Sequence, residues 1–99
     1  MFKIVSLIVD NELDVKLEDI FSSDKRTLIL MLISRKGKLN ISEISSFVGC
    51  SIEMAKIHLT ELEQLGILVS VKEGRDRYYM LNTDNKYSLL IKEFMNSWI

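Results

Sequence analysis

A chain of 99 residues fits one domain of ordinary size with its own core, yet falls short of the size at which burial becomes comfortable, so support from a second copy is expected. Hydrophobic residues make up 47% and charged residues 27%, with no proline and four glycines, which excludes a disordered chain and points to dense regular structure. A net charge of −1 excludes any global pull toward a polyanion, and a single cysteine, Cys50, excludes an internal disulfide framework.

The opening "FKIVSLIV" is a short apolar run compatible with a strand or a buried helical turn, and periodicity does not separate the two. It is too short to span a bilayer and is followed by acidic "DNELD" rather than a small-residue cleavage site, so an intracellular, cytoplasmic chain with no membrane partner is expected. Leu13, Leu17, Ile20 and Phe21 then fall on one helical face. Ser23 can cap a second helix ending near Arg35, Lys36 and Gly37, and its centre "TLILMLIS" is apolar on nearly all sides, which predicts contact with core or partner all round. Lys25 and Arg26, in its first turn, read as solvated or paired with Asp10, Glu12 or Asp14.

Asn40 and Glu43 have capping-box spacing and open a third helix to Gly49, with Ile44, Phe47 and Val48 as its apolar face. Ser51 caps a fourth, in which Ala55, Leu59 and Leu62 form the inward stripe and Gly66 the left-handed stop. Two helices joined around Gly49 and Cys50 predict a helix-turn-helix over about residues 41–65. The period then changes: "ILVSVK" and "RYYMLN" flank "EGRD", a β-hairpin over about residues 67–82. Thr83 or Asp84 can cap a last helix, about residues 84–98, with Tyr87, Ile91, Phe94 and Trp98 at 4-3-4 spacing as a seam that Leu90 and Met95 widen. With no repeat or linker in sight, residues 1–99 read as one domain, mainly α with a small β-hairpin.

That order of elements is the order of a winged-helix domain. "LNISEISSFVGCSIEMAKIHLTELEQLGILVSVKEGRDRYYMLN", residues 39–82, resembles the core of the ArsR-type winged helix-turn-helix repressors, and "SSDKRTLILMLI" looks like their second helix. The most specific pieces are "HLTELEQLGIL" running into "VKEGRDRYY", a recognition helix, its glycine stop and a wing with paired tyrosines. The resemblance implies a homodimer that pairs through its terminal helices and inserts recognition helices, here residues 52–65, into successive major grooves of a palindromic operator.

Under that reading Glu53, Met54, Lys56, Ile57 and Thr60 face base edges. Lys38, Ser42, Ser51 and His58 lie near phosphate, while Lys72, Arg75 and Arg77 make wing contacts. The reading face has no arginine: positions 53, 54 and 57, which in the family tend to carry small polar residues and an arginine, hold Glu, Met and Ile. Glu53 can accept from a cytosine amino group and Ile57 or Met54 can touch a thymine methyl, so base reading is retained in principle. Tyr87, Leu90, Ile91, Phe94, Met95 and Trp98 are the expected dimer interface.

His58, the only histidine, is ordinarily a half-buried, hydrogen-bonded residue, with phosphate contact its second role; Cys50 reads as core. Relatives that sense metals do so through paired cysteines on the third helix or Asp and His on the last, and neither set is present, so no metal and no cofactor are expected. No phosphate loop, nucleophile elbow or ligand cluster nominates a reaction, and the chain is not expected to be an enzyme. The expected function is therefore a homodimeric double-stranded-DNA-binding transcription regulator, a repressor, open to an unidentified small-molecule or protein effector. The competing class is a winged-helix module that binds protein instead, suggested by Ile57 and Met54 beside Glu53 and Glu61.

Overall fold

The computed structural model describes residues 16–98. In chain order these form α1 (Leu17–Ile20), α2 (Asp24–Lys36), β1 (Lys38–Asn40), α3 (Ile41–Val48), α4 (Ile52–Gln64), β2 (Leu68–Glu73), β3 (Asp76–Leu81) and α5 (Lys86–Ser97). The apolar run 2–9, Leu13 of the first expected helix, and Asp10, Glu12 and Asp14, the expected partners of Lys25 and Arg26, lie outside the described residues.

Each of α2 to α5 begins at a side-chain cap, whereas α1 has none. Ser23 accepts from the Arg26 amide at the start of α2, and Gly37 at φ +91° ends it. The capping box of α3 is complete: the Asn40 side chain accepts from the Glu43 amide at 2.8 Å and the Glu43 carboxylate from the Asn40 amide at 2.9 Å. Ser51 caps α4 through the Met54 amide at 3.0 Å. At the far end of α4 the Gly66 amide donates to Glu63 O and the Ile67 amide to Leu62 O, the paired bonds of a Schellman stop, with Ile67 and Leu62 both fully buried beside it.

That stop is also a junction. The Gly66 carbonyl accepts from Asn82 Nδ2 at 3.0 Å and Asn85 Nδ2 at 3.1 Å, and the Ile67 carbonyl accepts from the Ser88 hydroxyl at 2.7 Å and the Asn82 amide at 2.9 Å. Asn85, rather than Thr83 or Asp84, is thus the cap of α5, because one amide side chain both accepts from the Tyr87 amide and donates to Gly66. Asp84 is taken up in the preceding turn, its amide donating to Asn82 Oδ1.

The sheet has three antiparallel strands in the order β1-β3-β2, one more than the hairpin read from the sequence. Lys38–Asn40 is too short to show a period, but it pairs Leu39 with Tyr79 and so places Leu39, Leu68, Tyr79 and Leu81 on one buried face. Ile29, Leu30 and Ile33 of α2, Ile44 and Val48 of α3, Ala55, Leu59 and Leu62 of α4 and Ile91 and Met95 of α5 pack against that face, with Ile20 and Ile67 joining them. One expected apolar contact is not made within the chain: Phe47 is 56% exposed, because Ile44 and Val48, with Ile41 beside them, fill the inward side of α3, and Leu28 of α2 is left on the surface where a partner rather than the core would cover it.

Arg26 departs furthest from expectation. It is 5% exposed, not solvated, and joins three helices: Nη1 donates to the Asp19 carbonyl of α1 at 2.7 Å, Nε to His58 Nδ1 of α4 at 3.2 Å, and Nη2 to the Glu61 carboxylate of α4. Neighbouring Lys25 donates to the Val48 carbonyl at 3.1 Å, satisfying the end of α3. His58 must be neutral to accept from a guanidinium. Burial, and then the charge of Arg26, hold its pKa below the ordinary 6.5, with Glu61 opposing them.

Two measurements check this architecture. Alanine at Gly66 has to adopt φ +80° with its Cβ 3.1 Å from Asn85 Nδ2, so Gly66→Ala is expected to lower the urea-derived stability by about 1–2 kcal/mol. Because the folded pKa of His58 lies below its unfolded value, its contribution is complete above pH 6.5 and lost once pH falls through the folded value. Urea midpoints are thus expected to fall on acidification from about pH 7.5 to about pH 5, and His58→Gln to flatten that profile.

Candidate nucleic-acid interface

Three exposed features border the helix-turn-helix. At the positive end of α3, Ser42 is exposed in the first turn, beside backbone amides that favour an anion. Along α4 the alternation of buried and exposed positions turns Ala55, His58, Leu59 and Leu62 inward and leaves Glu53, Met54, Lys56, Ile57 and Thr60 outward. A shallow hollow of about 520 Å³ runs along this face, lined by Glu53, Lys56, Ile57, Thr60, Glu61 and Gln64. The third feature is the hairpin tip, where Lys72, Arg75 and Arg77 are all exposed.

The sequence-derived set does not hold together in full. His58 lies on the inward side of α4 against Arg26, at 9% exposure, and is not available as a phosphate contact. Ser51 is exposed and accepts from the Met54 amide as the cap of α4, which leaves its O–H free to donate. Lys38 lies just ahead of α3, on the edge strand β1, but is engaged there, with Nζ 2.8 Å from both carboxylate oxygens of Glu73 and over the Tyr78 ring. Glu61, on the flank of the reading face, is tied to Arg26. Among the described residues the remaining outward cations Lys56, Lys72, Arg75 and Arg77 have no ion-pair partner.

The wing cations are arranged at a cost. Lys72 lies directly opposite Arg77 across the ladder, a like-charge pair that destabilises a hairpin unless an anion lies nearby. Arg77 leans back to donate to the Ser70 hydroxyl at 3.0 Å, and Ser70 in turn donates to Glu63 at the end of α4. The base of the wing is thereby joined to the end of the helix.

The terminal helix divides the expected dimer seam in two. Ile91 and Met95 are 7% and 2% exposed within the chain's own core, and Tyr87 packs partly against it, so Ile91 and Met95 spend most of their surface inside the chain and reach only the floors of the hollows beside α5. Leu90, Phe94 and Trp98, one turn apart on the other side, are 60%, 59% and 67% exposed, with the rings of Phe94 and Trp98 6.1 Å apart. They border two adjoining apolar hollows of about 500 and 290 Å³, closed by Leu17 and Phe21 of the α1 region and Thr27 and Met31 of α2. Leu17 and Phe21 thus belong to the same exposed surface, which the α5 seam alone does not reveal.

Arg26 was also hidden from sequence reasoning. The one available sign was its position, since a cation in the first turn of a helix opposes the helix dipole and calls for a compensating partner. Among the described residues, no group of three or more His, Cys, Asp or Glu side chains is gathered as metal ligands would be, and no helix is long and apolar enough to cross a membrane.

No family model matches the sequence. Individual proteins do. A cadmium resistance transcriptional regulatory protein, a CadC homolog of Staphylococcus aureus, is 32% identical over 91 residues, covering 91% of this chain and 75% of its own length. An arsenic resistance transcriptional regulator of Pseudomonas putida is 30% identical over 63 residues, 64% of this chain and 49% of that protein, so the chain spans about half the length of this second relative. Among solved structures, the homodimeric winged helix-turn-helix DNA-binding domain of a candidate ArsR-family regulator from Mycobacterium bovis superposes with a TM-score of 0.64 at 20% identity, over 77% of this chain and 68% of that one. The identity to the staphylococcal protein extends over nearly the whole chain, through both helices of the motif and the wing, and by it this chain belongs to the ArsR/CadC family of winged helix-turn-helix transcriptional regulators.

Proposed function

We propose that the protein is a homodimeric, sequence-specific regulator of transcription that binds double-stranded DNA through α4 and represses by occupying its site. The observation that carries this reading is the exposed outward face of α4, free of ion-paired cations and joined through Glu63 and Ser70 to a hairpin whose Lys72, Arg75 and Arg77 are exposed. A helix so framed fits a major groove about 12 Å wide while the wing reaches the neighbouring backbone. Family membership supports it. Metal control, which the names of the cadmium and arsenic relatives suggest for those proteins, is not carried over to this chain.

In this reading the work is divided. Ser42 and the α3 amides, Lys56, Lys72, Arg75 and Arg77 meet phosphates, and Lys38 joins them if Glu73 releases it. Glu53, Met54, Ile57 and Thr60 approach bases. Leu90, Phe94 and Trp98 pair with a second copy, together with Leu17 and Phe21, setting half-sites about 34 Å apart. The protein is located in the cytoplasm with its DNA and has no enzymatic role.

Binding to duplex from upstream of its own gene, followed by fluorescence anisotropy at about 50 and about 200 mM salt against a scrambled duplex, tests the proposal. Tighter binding to the upstream duplex at both salts is expected. Arg75→Ala or Arg77→Ala removes two phosphate contacts per dimer, so affinity should fall and the log–log salt slope should flatten by about two. An absence of affinity even at the lower salt would transfer the outward α4 face to a protein partner.

Dimerisation is tested separately. Phe94 borders both hollows at 59% exposure, so Phe94→Glu leaves the core intact and is expected to yield monomers in sedimentation, with operator affinity lower by about a hundredfold or more. A dimeric Phe94→Glu protein would move the interface off α5.

A further inference from the structure

Reading guanine in the major groove takes hydrogen-bond donors, because guanine presents only the acceptors N7 and O6 there. The base-proximal half of α4 has few. From Ile52 to Thr60 its exposed side chains are Ile52, Glu53, Met54, Lys56, Ile57 and Thr60, of which only Lys56 and the Thr60 hydroxyl donate. What the face has in quantity is apolar surface: Ile52, Met54 and Ile57 are 51%, 45% and 52% exposed. Ile57 is central, in the hollow bordered by Glu53 on one side and Thr60 on the other, one turn away in each direction.

B-DNA offers such a surface one apolar counterpart. The C5 methyl of thymine projects from the major-groove wall, whereas every other group on that wall is a donor, an acceptor or a ring edge. Glu53 adds a veto. As an acceptor it opposes guanine N7 and O6, and it accepts from the amino group of cytosine or adenine, so guanine is disfavoured where it lands. Glu61 does not extend this acidic edge, since Arg26 holds it.

We infer that the recognition helix selects its half-site chiefly through thymine methyl groups, with Ile57 as the central reader and Met54 and the Thr60 methyl beside it. The inference rests on the DNA-binding reading above and specifies its ligand: a half-site with thymines at fixed positions, in place of one anchored by guanine. Lys56 and the wing supply phosphate affinity and little discrimination.

The test uses duplexes selected from a randomised pool by the full-length wild-type protein, with each shared thymine then replaced by deoxyuridine. This change keeps the base pair and deletes only the methyl. Binding is expected to weaken about fourfold for each contacted methyl, and not at all for replacements in the flanks. Ile57→Ala, a change at an exposed position, should bind the thymine duplex more weakly and lose its response to uridine at the positions Ile57 covers, so that the two changes are coupled in a double-mutant cycle.

Specific binding that is indifferent to uridine, or an Ile57→Ala protein that stays as sensitive as the wild type, would overturn the thymine reading while leaving a DNA-binding regulator. Failure to enrich any duplex would sink both readings.

Discussion

A guanidinium can be buried only if its donors are met, and the fold around α4 is built on meeting those of Arg26. His58 and Glu61 are three residues apart on α4, on neighbouring turns of one side. One planar group that engages both fixes the rotation of the helix about its axis as well as its distance from α2. The bond to Asp19 O extends the same constraint to α1. A helix rotated by a single residue would exchange much of its inward stripe for its outward face, so the rotational setting of α4 decides which side chains a groove can meet. Apolar packing of Ala55, Leu59 and Leu62 resists such rotation without direction; the arginine supplies the direction.

The opposite end of α4 is fixed by different means to the same effect. Four donors converge on the carbonyls of Gly66 and Ile67, so the helix stop, the start of β2, the end of β3 and the cap of α5 share one hydrogen-bonded junction. Arg77, Ser70 and Glu63 add a polar link from the wing to the last turn of α4. Recognition helix and wing therefore move as one piece. The α5 surface bearing Leu90, Phe94 and Trp98 is attached to that piece through Ser88 and Asn85, so a partner held on that surface, as proposed, would bear directly on the orientation of α4 and the wing.

What could be read in the sequence was whatever depends on neighbours along the chain. Caps and stops at Ser23, Gly37, Asn40, Glu43, Ser51 and Gly66 are local chemistry, and they delimited α2, α3 and α4 closely. β1 was not legible because three residues contain no period, and its assignment depends on Tyr79, forty positions away. Heptad-like spacing in α5 misled for a related reason: Tyr87, Ile91, Phe94 and Trp98 are periodic, but two faces of one helix are both apolar, and only the position of α2 determines that Ile91 and Met95 belong inside. The cap at Asn85 and the burial of Arg26 likewise needed partners from distant segments. For the interface, the exposed positions on α4 and the wing followed from helical rotation and turn chemistry, whereas the engagement of His58, Lys38 and Glu61 did not.

The arrangement of charge around α4 has a consequence for how such a protein would discriminate among sites. Cations that can approach phosphate lie at the perimeter, on the wing and at Lys56, and the centre of the reading face is apolar with one free acidic group, Glu53. A net charge of −1 gives little long-range attraction to compensate. Non-specific affinity, which is almost wholly electrostatic, is therefore held low. Apolar contacts contribute only when the groove presents a matching surface at close range, and they are insensitive to the salt that weakens phosphate contacts. On the proposed reading the surface would trade absolute affinity for a larger ratio between matched and unmatched sites, and that ratio, more than the tightness of any one complex, governs occupancy against a genome of competing sequence.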